Sequence, residues 1–275
     1  MKKRVLGLLL LFSLGIIFPK CVSADEVVTE DVKYYKTVYK NNLFGTYSIN
    51  GENDVENIEI TKEEYDSFNP ATTVQPASSS VVETTYKCMT TSINKVNGEY
   101  VYKNNLSWKN FPATRSYDVI AIVHPTNVTI ATALQFTTEY CTATGTCYSN
   151  RSHNPVFSNT GVATIFPLPT GSLSRLNHTM SFTVQKNTTS TITQQKIQGD
   201  YAHATSNVNI TDAFNIYASY GGGIVIPYDM LDKYDTFNGT GLAAADVQSA
   251  LNKESKFEFT SLTNGGILNV ENNVT

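Results

Sequence analysis

Asn97-Gly98, set between two long runs of alternating residues, constrains this chain more than any other feature. Both residues accept positive φ, as the two-residue type I′ turn of a β-hairpin requires. A turn there fixes the register of everything beside it. Val96 then faces Glu99, Ile93 faces Tyr102, Met89 faces Leu106 and Lys87 faces Trp108. Side chains alternate along a strand, so Met89, Ile93, Tyr100, Tyr102, Leu106 and Trp108 share one face. That face is apolar except for Thr91 and Asn104, whereas Thr90, Ser92, Asn94, Lys103 and Ser107 make the reverse face polar. Turn chemistry and alternation agree on a hairpin with one buried side. Trp108, the only tryptophan, is expected beneath it.

Further strands follow from the same alternation. Arg115–Val123 contains Ile120-Ala121-Ile122-Val123, which predicts burial on both faces. Asn127–Tyr140 alternates throughout and reads as one strand. Val162, Thr164 and Phe166 form another, stopped by Pro167, and Met180, Phe182 and Val184 a third. Val32–Lys40 has no clean apolar face and reads as an edge strand, with Lys33, Lys36 and Lys40 as edge protection. Thr61-Lys62-Glu63-Glu64 is a capping box and predicts a short helix to about Phe68. Leu242–Asn252 is the other helix candidate, and Gly221-Gly222-Gly223 predicts a tight turn or bulge. Short strands separated by turn residues, with at most one or two short helices, place the chain in the all-β class as an antiparallel sandwich or jelly roll. Asn69–Thr84, rich in Pro, Ser and Thr, reads as a linker. It divides the chain into a signal peptide (1–24), a small N-terminal β module (25–68), the linker (69–84) and a main sandwich domain (85–275).

The N-terminus predicts export. Lys2, Lys3 and Arg4 precede the apolar run Val5–Phe18, and Val22-Ser23-Ala24 supplies small residues for cleavage after Ala24. The run is short for a membrane span and no later one approaches that length, so the product is expected outside the cell with no stable membrane span. Losing Lys2, Lys3, Arg4 and Lys20 leaves 16 basic residues (20 − 4) against 24 acidic ones, a net charge of −8 (16 − 24). An acidic surface repels phosphate backbones, which argues against a nucleic-acid partner. Cys88, Cys141 and Cys147 remain after cleavage. Cys141 and Cys147 enclose TATGT, a hairpin tip short enough to bring their Cα atoms to disulfide distance. An oxidising exterior favours that bridge and leaves Cys88 over.

No catalytic, cofactor-binding or metal site is expected. His124, His153, His178 and His203 are far apart along the chain and read as scattered surface or loop residues. No G-x-S-x-G elbow or H-E-x-x-H helix occurs. Arg115 and Asp118 fall on opposite faces of a strand, and Asp229, Asp232 and Asp235 read as a solvated acidic turn.

Leu106-Ser107-Trp108, Pro112, Arg115 and Ser116-Tyr117-Asp118-Val119-Ile120, with the stretch IEITKEEYD at 58–66, resemble a pattern in uncharacterised secreted β-rich proteins of Gram-positive bacteria. The resemblance implies an exported bacterial protein and carries no functional residues with it. The expected function is therefore a secreted, non-enzymatic β-sandwich that binds a glycan or a cell-surface component. Two other classes stand beside it. One is a β-pore-forming toxin, with Phe182–Thr205 as the inserting hairpin. The other is a glycan-active enzyme, which needs paired carboxylates in a cleft.

Mass mapping of the secreted protein without reduction should recover the Cys141 and Cys147 peptides joined, with Cys88 open to alkylation. Alkylation of all three cysteines in the native protein would refute the bridge.

Overall fold

The computed structural model describes residues 26–40, 55–69, 81–189, 196–238 and 242–243. The first strands are β1 (Glu26–Lys40), β2 (Val55–Ile60), β3 (Val81–Val96), β4 (Glu99–Asn110), β5 (Tyr117–Val123) and β6 (Val128–Ile130). Then come β7 (Gln135–Thr142), β8 (Cys147–Asn150), β9 (Asn154–Ser158), β10 (Gly161–Pro167), β11 (Leu173–Lys186) and β12 (Lys196–Ala204). The last are β13 (Tyr217–Ser219), β14 (Gly223–Val225), β15 (Tyr234–Asn238) and β16 (Leu242–Ala243). Two short helices, α1 (Lys62–Ser67) and α2 (Ile210–Ala213), and a 3-10 turn at Tyr228–Lys233 complete the described elements.

Asn97 and Gly98 turn the chain with φ of 53° and 88°, and β3 and β4 pair in the register expected from them. Around this hairpin the first sheet runs β2-β1-β3-β4-β11-β7-β8, with β6 also on β11. The second runs β15-β12-β5-β10-β9, with β16 on β12, and β13 and β14 form a separate hairpin. All pairings are antiparallel, so the chain is an all-β sandwich.

The two sheets face each other across one core. Met89, Ile93, Tyr102, Leu106, Trp108 and Phe182 of the first meet Ile120, Ile122, Phe166 and Tyr201 of the second. The second sheet is covered on its outer face too. Val119, Ala121, Val123, Ala202 and Ala204 pack beneath Ala213, Ile216, Ala218, Ile224 and Met230. Ile120 through Val123 are all fully buried, as that apolar run predicts.

Asn104, one of the two polar exceptions on the hairpin face, links the sheets. Its Nδ2 donates to Ala121 O at 3.0 Å and to Asp200 O at 3.2 Å, on facing positions of β5 and β12. Gly199 on β12 makes this approach possible. A Cβ there would collide with Thr91 Oγ1 and come within 2.7 Å of Asn104 Cγ.

Several expectations need correction. β1 is not an edge strand, because β2 pairs along one side and β3 along the other. Its mixed faces reflect two different covers. Tyr35 and Thr37 point into the core, whereas Tyr34 meets Tyr65 of α1 at 4.9 Å and Lys36 reaches Glu64 at 3.7 Å. The N-cap half of the capping box forms, with Thr61 Oγ1 accepting from Glu64 N–H at 3.2 Å, while the Glu64 side chain lies towards Lys36. Strand β1 also joins the 25–68 segment to the same sheet as the hairpin, and β3 begins at Val81, inside the stretch read as a linker.

Asn127–Tyr140 is not one strand. Between Ile130 and Gln135 the chain advances five residues (135 − 130) against three on β11 (184 − 181). Ala131 N–H still donates to Thr183 O at 2.7 Å, but Thr183 N–H donates to Thr132 Oγ1, so a side chain replaces the ladder. Leu242 and Ala243 pair with Ile197 and Lys196 as a strand instead of opening a helix. The rest of that helix candidate, the leader with its cleavage site, and residues 70–80 lie outside the described residues.

Gly199→Ala should lower stability by about 1–3 kcal/mol through overpacking. Gly222→Ala, where a Cβ meets nothing closer than 3.8 Å, is its control. Equal denaturation midpoints for the two variants would refute the tight contact between sheets.

Candidate functional site

Alternation places a set of polar side chains on the facing sides of the two sheets. Lys87 of β3 lies inward because it shares a face with Met89, and Asp118 of β5 because it shares one with Ile120 and Ile122. His203 lies two residues beyond Tyr201 on β12 and opposite Asp235 of β15. Thr37 of β1, His178 of β11 and Phe237 of β15 close the cluster.

Asp118 is fully buried and accepts from three donors. Ala204 N–H reaches Oδ1 at 3.0 Å, His203 Nδ1 lies 2.9 Å from Oδ2, and the Tyr201 hydroxyl also donates to Oδ2. Burial first, and Asp118 second, push the Tyr201 phenol far above its ordinary range. Lys87 is also fully buried. Its Nζ donates to Thr37 Oγ1 at 2.9 Å and lies 3.4 Å from the centre of the Phe237 ring and 4.6 Å from that of Trp108. Asp235 keeps one buried oxygen, Oδ2, without a hydrogen-bond partner. Burial pushes its carboxyl towards the protonated form, against the opposing pull of Lys87 and His203.

His178 Nδ1 lies 3.0 Å from Thr138 Oγ1, and its ring sits 4.5 Å from Phe166. Burial pushes the imidazole down to about 3, with Asp118 opposing and His203 adding to the shift. Lys87, Asp118, His178 and His203 are almost completely enclosed by the two sheets, and Asp235 lies at the margin with 8% of its surface exposed.

The reading of the histidines as surface or loop residues is corrected for three of them, since His124, His178 and His203 are buried and only His153 is partly exposed. The acidic-turn reading fits Asp229 and Asp232, which are exposed, and fails for Asp235. Arg115 and Asp118 do not pair. Arg115 donates to the carbonyls of Pro112, Pro169 and Gly171. Phe182–Thr205 is not a hairpin, because its arms lie in different sheets as parts of β11 and β12. Gly221–Gly223 does turn the chain, with φ of 88° at Gly221 and 66° at Gly223. Among the described residues, no three His, Cys, Asp or Glu side chains group to hold a metal ion. Sequence spacing missed the cluster, although the hairpin register had already set Lys87 opposite Trp108 on an apolar face.

Two surface features complete the inventory. Cys141 and Cys147 face each other on β7 and β8 and form the expected disulfide, with Cα atoms 4.0 Å apart. Cys88 is unbridged and partly buried on the reverse face of the hairpin. On the layer that covers the second sheet, Phe214, Tyr217, Tyr220, Tyr228 and Leu231 are exposed, Tyr228 to 92%.

No family model and no curated protein matches this sequence. Among solved structures, the chain is similar to the full-length major pilin SpaD from Corynebacterium diphtheriae at a TM-score of 0.32 and 9% identity. The match covers 77% of this chain and 58% of that pilin, so the chain spans less than two thirds of its length. The fold assignment rests on the strand pairing described above.

The buried His178 gives a pH dependence with a definite sign. Its folded-state pKa lies below the ordinary 6.5, so the unfolded chain takes up the proton first as pH falls. Stability should be intact above about pH 6.5 and fall by on the order of 3 kcal/mol by about pH 4. His178→Gln should flatten that slope, leaving the part due to His124, which burial also lowers. An unchanged slope in chemical denaturation would refute the assignment.

Proposed function

We propose that this chain is a secreted, non-enzymatic β-sandwich protein that binds a glycan or another cell-surface component. The observation that carries the proposal is the concentration of exposed rings within 214–231. Phe214, Tyr217, Tyr220 and Tyr228 turn outwards, with Leu231, from a layer whose other side is packed on the second sheet. Exposed apolar side chains gathered in one short stretch of a folded domain mark an interaction surface more often than chance. Tyrosine suits such a surface because its ring offers an apolar face and its hydroxyl a hydrogen bond. Pyranose rings present the complement, with C–H groups on their faces and hydroxyls around their rims. The disulfide and the basic-then-apolar N-terminus support an extracellular setting.

The test is binding of the purified protein to a glycan array and to whole Gram-positive cells. Tyr228→Ala and Tyr217→Ala should each weaken binding about tenfold, as truncation of an aromatic anchor does. Both side chains are exposed, so the fold should be unaffected. Binding that survives both changes would refute this surface.

A further inference from the structure

The exposed rings of the covering layer stand among carboxylates. Residues 206–233 hold the acids Asp212, Asp229 and Asp232 against a single base, Lys233. Two of those acids belong to the 3-10 turn Tyr228–Lys233, which also carries Tyr228, the ring exposed to 92%.

The geometry of that turn sorts its side chains. A 3-10 helix has three residues per turn, so positions i and i+3 eclipse. Tyr228 and Leu231 therefore form one ridge, and Asp229 and Asp232 form the ridge beside it. Met230 lies on the third side and is buried in the outer core of the second sheet, which seats the turn and sends the other two ridges outwards. Tyr228, Leu231, Asp229 and Asp232 are all exposed. At a rise of about 2.0 Å per residue, the two acidic positions are about 6 Å apart along the turn. Tyr217 supplies a second exposed ring nearby. It pairs with Val225 in the β13–β14 hairpin, and Val225 precedes Tyr228 by three residues, a span of at most about 11 Å.

We propose that this surface takes a positively charged glycan, an amino-sugar polymer whose amines are free and not acetylated. The inference rests on the reading of the exposed rings as a glycan-binding surface and adds the charge of the ligand. The face of an aromatic ring attracts an ammonium group within about 6 Å. A carboxylate on the adjacent ridge adds to that attraction. A neutral acetamido sugar engages only the Tyr228–Leu231 ridge, and an anionic polymer is repelled by the ridge next to it. The formal net charge of −4 on the whole chain acts in the same direction at longer range. The rings favour a glycan over a lysine-rich peptide, because a pyranose offers a rigid apolar face to the ridge and a lysine only a flexible stem.

The experiment is calorimetric titration of the purified full chain with short oligomers of β-linked glucosamine and with the same oligomers fully N-acetylated, at a pH where the amines are protonated. The free-amine form should bind about tenfold tighter, and added salt should erode the difference. The double variant Asp229→Asn/Asp232→Asn should weaken binding of the free-amine form about tenfold and leave the acetylated form unchanged. Tyr228→Ala should weaken both forms. Glu99→Gln removes an exposed charge beside the Asn97-Gly98 turn and should change neither. Equal binding of the two oligomers, preference for the acetylated one, or a loss with Glu99→Gln as large as with the acid pair would overturn the charge assignment and leave the rings as a glycan surface. Polylysine bound as tightly as the glucosamine oligomer and indifferent to Tyr228→Ala would assign the surface to a cationic peptide and overturn the proposal. Failure to bind either oligomer would also overturn it, whereas the broader reading fails only when the glycan array and the cells are negative as well.

Discussion

Removing one amine, two carboxyls and two imidazoles from water between two sheets is the constraint to which the rest of this structure answers. Each buried ion costs several kcal/mol unless it is paired, hydrogen-bonded or neutralised. The structure meets each case differently. Asp118 receives three donors, His178 is driven to the neutral form, and Lys87 rests between two rings with a hydroxyl acceptor. Every one of these solutions draws on more than one strand. Thr37, Lys87 and Trp108 come from three neighbouring strands of the first sheet, and Asp118, His203 and Asp235 from three of the second. A one-residue slip in any of them would send its member to the other face and leave its partners buried without it.

The second sheet resolves a different problem, that of being covered on both sides. Its strands carry large residues inward and interleave alanines with Val119, Val123 and Ile165 outward. Ile120, Ile122, Phe166 and Tyr201 face the first sheet, while Ala121, Ala163, Ala202 and Ala204 face the covering layer. Small outward residues let a thin layer of short elements approach closely, and Ala213 and Ala218 on that layer match them. The layer has too little depth to bury its own large rings. Tyr217, Tyr220 and Tyr228 therefore remain on the solvent side, where the proposed binding surface lies.

What could be read in the sequence depended on how local its cause was. The hairpin register followed to the residue, because Asn97-Gly98 and the flanking alternation are both short-range. The break in Asn127–Tyr140 could not be seen, because two extra residues preserve the alternation. Ile130 before it and Phe136 after it still point into the core. The misreading of β1 as an edge has a similar origin. A strand with the core on one side and α1 on the other shows no clean apolar face, although it is paired on both edges. The buried cluster escaped because spacing rules search along the chain. Asp118 and His203 are 85 residues apart, and their contact exists only once β5 and β12 are neighbours. The one local clue was a lysine set opposite the single tryptophan on an apolar face.

The cluster and the aromatic layer are also connected through the chain. The 3-10 turn that carries Tyr228 and Leu231 runs directly into β15, which carries Asp235 and Phe237. A force applied to a ligand on that layer would pass first to β15 and β12. Hydrogen bonds of the β12–β15 ladder, the bond from the Tyr234 hydroxyl to Tyr117 O and the apolar packing of the layer would then resist its separation from the rest. Across the core, Phe237 of β15 meets the Lys87 amine of β3, the strand at the centre of the longest paired region among the described residues. The polar interior and the exposed rings are thus parts of one arrangement, in which the short elements that carry the proposed binding surface lead straight into a strand packed against the first sheet.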